Sequence, residues 1–332
     1  MVVANKSSKY VWAYQTAAGT AAITAVNSVT YEFGEYNDEC GKWNAPFIEN
    51  NSDPSWVYSS RTPTLTDVES KYPTFTHAFL PVTAQYLAWM LKSPTNTNPT
   101  VTIGTLHTGL TYPLTIRNEE LEGTNPNNAQ ARDCYCVGLT AKAEQEKSFI
   151  VSPEFAWGKL QDIGDNPNLT TAPVAPGDLL TGPYDGNPIV LWDIGGDNVA
   201  LTGVWRADFK CQQEYEIVTN DEGSTQSVYP GKMKPVQIIL SAVFLINDGW
   251  DDYVDRKATT NMTIQVKKHD GTSYITHTFT NARFISIKKT GDRNKGHYGS
   301  VATLIAEKVE GLSDWFTEGG TTFATHWKAG VA

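Results

Sequence analysis

Two stretches of equal length, CYCVGLTAKAEQEKSFIVSPEFAWGKL at 134–160 and RFISIKKTGDRNKGHYGSVATLIAEKV at 283–309, share one layout. Each has two strand-like runs joined by a charged tip. At an offset of 149 they set Tyr135 against Phe284, Phe149 against Tyr298, Phe155 against Leu304, Lys159 against Lys308 and Leu160 against Val309. A repeat on this scale constrains the fold more than any local propensity, because both copies must be satisfied by one architecture. Around each hairpin the order also recurs. The first half reads as strands at 100–104 and 110–118 after a helical segment at 81–93, with Leu87 and Leu91 on one face and Ala84 and Ala88 beside them. The second half reads as strands at 199–208, 212–219 and 235–246, a short helical piece at 249–257, and alternating strands at 262–268 and 273–279.

The 332 residues suffice for two domains with cores of their own. Thr, Asn, Gly and Pro are plentiful and strong helix formers scarce, so the expected class is mainly β. Residues 162–189 carry five prolines and four glycines without periodicity, which marks a linker. The expected organisation is an arm over 1–28, a first β domain over 29–161, the linker, and a second β domain over 190–332.

The formal net charge is −10, with carboxylates exceeding basic residues in both halves. A specific nucleic-acid binder would show a basic face, so tight phosphate binding is not expected. Cys134 and Cys136, two apart on one strand, point to the same face. With Cys40 and Cys211 they read as small buried thiols, not as a metal set. No apolar run reaches the length of a membrane span, and the opening lacks an apolar leader segment. The six histidines are scattered, and no nucleophile elbow, Walker loop or dinucleotide fingerprint occurs. The run 288–299 joins glycines to Lys288, Lys289, Arg293 and Lys295 but reads as a solvated hairpin tip. Asp248, Asp251, Asp252 and Asp255 read as capping and surface residues, and Glu119, Glu120 and Glu122 as an acidic patch. No enzyme, cofactor or metal is expected.

Aromatics concentrate near the start. Tyr10, Trp12 and Tyr14 alternate, so an extended segment puts all three on one side, where they need a surface to cover them. Tyr31, Phe33, Tyr36, Trp43, Phe47, Trp56 and Tyr58 follow within a turn-rich stretch. They either fill the first domain's core or face another subunit. The opening KYVWAYQTAAGTAAI, with Tyr10, Trp12, Tyr14, Thr16, Gly19 and Thr20, resembles the N-terminal arm of major tail tube proteins of long-tailed phages, in a variant with two tube domains. That resemblance implies tandem β-sandwich or barrel domains, each flanked by a short helix, with an extended arm. It further implies a virion subunit made in the host cytoplasm. Such a subunit assembles with itself into stacked, trimeric, pseudo-sixfold rings and meets other tail proteins. DNA is then a transient, non-specific cargo passing an acidic or neutral channel, and no membrane is entered. All ten aromatics then become candidates for the subunit interface. A carbohydrate-binding or hydrolase β-sandwich, or another capsid or filament subunit, stays open as an alternative.

Overall fold

In the computed structural model the chain is built almost wholly of β-strands. The structure describes residues 8–15, 22–25, 27–28, 30–40, 52–57, 64–70, 74–81, 84–90, 100–102, 113–120, 128–156, 159–162, 169–173, 184–194, 197–201, 203–219, 226–243, 260–268, 274–292 and 297–313. The first half supplies β1 (Ser8–Tyr14), β2 (Tyr31–Glu32), β3 (Ser52–Val57), β4 (Thr64–Ser70), β5 (Thr74–Thr76), β6 (Thr100–Thr102), β7 (Leu114–Glu120), β8 (Ala129–Glu144), β9 (Ile150–Ala156) and β10 (Lys159–Asp162). The second supplies β11 (Tyr184–Ile194), β12 (Asp197–Ala200), β13 (Val204–Thr219), β14 (Gln226–Met233), β15 (Val236–Val243), β16 (Thr260–Lys268), β17 (Tyr274–Asp292), β18 (His297–Ala306) and β19 (Lys308–Ser313). Short 3-10 helices occupy Asp38–Cys40 and Ala84–Met90.

One antiparallel wall runs β5–β9–β8–β13–β15–β18–β17. Two wings leave it. The first halves of the long strands β8 and β17 turn out of the wall and pair in β2–β1–β7–β8–β10 and in β12–β11–β16–β17–β19–β6.

The two hairpins and the wing strands beside them keep matching registers. Cys136 pairs with Phe155 as Phe284 pairs with Leu304, and each ladder then shifts, by Gly138 opposite Glu154 and by Ser286 opposite Thr303. The offset is therefore 148 on the first strand and the expected 149 on the second. Tyr135 falls on Arg283 instead of Phe284. The wing ladders shift at matching places too, between Leu114 and Ile116 and between Thr260 and Met262. At the matching points of β8 and β17, Asp133 and Asn281 take φ of 56° and 52°. Short polar side chains tolerate this left-handed conformation, and such bulges bend a strand. The bend is what sends β8 and β17 from wing to wall.

The same registers carry β1 onto β11. Trp12 pairs with Ile116 and Tyr31, and Trp192 with Met262 and Val199. The second half therefore has its own counterpart of the N-terminal aromatic strand, starting at Tyr184 within the stretch expected to be linker. Two expected strands at 199–208 and 212–219 are mainly one, β13, because its burial alternates unbroken across the expected gap, from Ala207 to Gln213. The helix expected over 81–93 is a 3-10 helix with Tyr86, Leu87, Trp89 and Met90 all buried. Burial on several sides makes it a core element instead of an amphipathic one. Leu91 and the expected helical piece at 249–257 lie outside the described residues.

One apolar cluster spans both halves, from Tyr10 and Trp12 through the 3-10 helix to Phe209, Ile238, Phe279 and Leu304. Among the described residues no helix is long and apolar enough to cross a membrane.

Candidate functional site

The aromatic candidates divide sharply. Trp12 is 1% exposed and packs on Tyr14, Tyr31 and Trp89 with ring centroids 5.3, 5.0 and 5.6 Å away, while its indole N–H donates to the Glu32 carbonyl at 3.2 Å. Tyr10, Tyr14, Tyr31 and Phe33 are buried with it, and Tyr36 packs against the same cluster half-buried. The surface that Tyr10, Trp12 and Tyr14 require is thus supplied inside the same chain, by β2, β7 and the 3-10 helix. As a consequence β1 is a central strand between β2 and β7 and not a free arm. Of the rest, Trp56 lies on β3, and Trp43, Phe47 and Tyr58 fall outside the described residues.

Around this core the polar groups are tied down. Gln15 donates to Asp133 at 2.8 Å and accepts from the Asp133 N–H at 2.7 Å and the Thr115 hydroxyl at 3.1 Å. This cluster fastens the bend of β8 to the end of β1. His77 and His277 are fully enclosed by rings, with the phenols of Tyr36 and Tyr86 at 2.8 and 2.5 Å from their Nε2 atoms. Burial lowers both imidazole pKa values to about 3, the Ile264 backbone partly offsetting it at His277. Burial also pushes the Cys134 and Cys136 thiols well above their ordinary range and Cys211 to about 12. Groups held in these states neither exchange protons near neutral pH nor act as nucleophiles. Glu119 is buried on Arg117 at 3.2 Å and accepts from the Leu169 N–H at 2.7 Å, which gives it a structural use. Glu122 and the four aspartates at 248–255 lie outside the described residues. The tip of the second hairpin emerges from β17 through exposed Lys288 and Lys289.

What remains is a sheet surface and its edges. The face of the wall turned away from the core carries Lys142, Glu144, Glu154, Arg206, Asp208, Lys210 and Lys288 among the described residues. Lys142 stands opposite Asp208, and Glu144 opposite Arg206. With Arg283, which is paired with Ile305 on the same face, cations and carboxylates interleave with two positive charges in excess. Burial raises the Glu144 pKa, but hydrogen bonds from Lys142 and Lys147 outweigh it and leave the carboxyl below its usual value.

The junction between the halves is the β8–β13 ladder, from Gly138 opposite Gln212 to Glu144 opposite Arg206. It lies on the side of β8 that also carries β7. The matching side of β17, beyond β16, pairs with no described strand from Ser286 onward. At the other end of the wall, β15 bears β13 on its outer edge, whereas no described strand occupies that edge of β5 at Thr74–Thr76. The signal for this arrangement was in the sequence only as the paired hairpins; which strand of which half would join them was not.

No known protein-family profile matches the chain, and no curated protein matches it. Among the solved structures that resemble it, three do so at 16% identity each. A chain of the PVC sheath-tube complex of an extracellular contractile injection system, in the extended state, aligns over 38% of this chain and 88% of its own at a TM-score of 0.32. A chain of the PVC sheath/tube terminator in the extended state covers 38% and 93%, with a TM-score of 0.31. A chain of the anti-feeding prophage cap, a tube-terminating cap, covers 46% and 99%, with a TM-score of 0.30.

Proposed function

We propose that this protein is a structural, non-enzymatic subunit of a viral tail tube, whose copies close into rings and stack into a channel through which DNA passes. The observation that carries this reading is the tandem repeat. Two halves are joined edge to edge in one wall, and among the described residues no strand covers the outer edge of β5 at Thr74–Thr76, beyond the Glu35–Leu80 bridge, or that of β17 from Ser286 onward. Unpaired edges are a liability that closure into a ring removes. On this reading each half is one tube-type unit, the first taking in β1. Three chains would then present six units around a pseudo-sixfold axis, and assembly would take place in the host cytoplasm before incorporation into the virion.

The mixed-charge face of the wall lines the channel, and its small positive excess departs from the acidic or neutral lining expected from the sequence. Interleaved signs suit passage, because a continuous lysine and arginine lining would grip phosphates in a salt-dependent way. Since Tyr10, Trp12, Tyr14, Tyr31 and Phe33 are consumed by the core, contact between successive rings is assigned to the segment bearing Trp43, Phe47, Trp56 and Tyr58. Negative-stain microscopy and sedimentation of the purified protein test the reading. Rings or hollow tubes are expected, and a chain that stays monomeric at every concentration tested would sink it.

A further inference from the structure

We infer that the ladder joining the two halves is also the template for the joint between copies, so that the open side of β17 receives the β3–β4 hairpin of a second copy. This inference rests on the assembly reading above and names the surface it uses. In half one, β8 accepts β13, the first strand of the β13–β14 hairpin, and β14 also lies against β8. The strand of half one that follows the counterpart of β12 and opens a hairpin, as β13 does, is β3. A second copy therefore carries the piece that β17 lacks.

The bulged residues supply an independent observation. Val137 and Ile285 sit at the same shift of the two hairpins, each skipped between paired neighbours. Val137 is 2% exposed and packs with Tyr135 and Ala156 of its own half, whereas Ile285, whose repeat neighbours are Arg283 and Ile305, is 49% exposed and is one of four large apolar residues in the open among the described residues. With Arg283 in the place of Tyr135, Ile285 lacks the cover its own half gives Val137, and it leaves an apolar side chain in the open beside the stretch of β17 that pairs with no described strand. The backbone direction agrees. The Gln145 N–H donates to the Trp205 carbonyl at 2.8 Å, so on β8 the odd-numbered amides face β13. By the repeat, the Ile287 amide faces the open side of β17.

Ile285→Lys tests this. The side chain is exposed in the single chain, so the circular dichroism and melting temperature of the monomer should stay those of wild type. The concentration at which rings or tubes form should rise about tenfold or more, since a charge replaces an apolar anchor. In assembled wild type the Ile287 amide should exchange at least about tenfold more slowly than in the monomer, as a newly made ladder bond requires. Normal assembly of Ile285→Lys, or unchanged exchange at Ile287 on assembly, overturns this joint while leaving the tube reading intact. A wild-type chain that never assembles overturns both.

Discussion

Replacing Trp12 by alanine separates a core role for the first strand from a role in reaching a neighbour. The indole is 1% exposed, touches three aromatic rings and satisfies the Glu32 carbonyl. Removing so large a buried ring costs about 3–5 kcal/mol. For a chain of this size each kcal/mol lowers the midpoint by about 2–4 °C, so a fall on the order of 10 °C or more is expected. Trp192→Ala, at the repeat-related position on β11, removes another buried indole and should fall in the same range. Thermal unfolding followed by circular dichroism on monomeric protein reads both. If Trp12→Ala melts with wild type but fails to assemble, the ring faces a partner and the placement of β1 in the core is refuted. Two variants with widely different losses would refute the equivalence of the strands.

Two further outcomes are expected. His77 and His277 are held neutral with folded pKa values of about 3, below the ordinary 6.5, so the unfolded chain binds their protons first on acidification. Stability should be flat above about pH 6.5 and fall by up to roughly 1.4 kcal/mol per pH unit for each histidine between pH 6 and 3. Urea midpoints from pH 7.5 to 4.5 check this, and a His77 or His277 imidazole titrating near 6.5 by NMR would contradict it. Separately, Cys134, Cys136 and Cys211 are buried with thiols pushed up, while Cys40 is partly exposed with its own pKa raised by burial. A thiol reagent on native protein should modify Cys40 slowly and the other three only after denaturation; rapid labelling of more than one site would show a looser core.

The sequence made the mainly β class and the paired hairpins visible, because strand alternation and turn chemistry are local. The equivalences Phe155–Leu304, Lys159–Lys308 and Leu160–Val309 could be read directly, since the second strands differ by a constant 149. The equivalence of Trp12 with Trp192 was not legible. Connections of unequal length change the offset from strand to strand, and only the ladders reveal it. Alternation of Tyr10, Trp12 and Tyr14 correctly announced an extended segment with one apolar side, but a periodicity carries no information on whose surface covers that side. The bends at Asp133 and Asn281 were equally hidden, for aspartate and asparagine take the left-handed conformation only where pairing on both sides demands it.

The two hairpin tips differ by one residue while every flanking register is kept. Seven residues separate Lys142 from Ile150, and eight separate Thr290 from Gly299. A single chain thus already holds a short and a long version of the same connection, both compatible with the same ladder. For protein engineering this identifies the tips as positions where an epitope or a small reporter can be inserted without disturbing the sheet. Of the two, the first tip, at exposed Glu146, is the better choice, because it stands beyond the last β8–β13 pair and away from the open end of the wall.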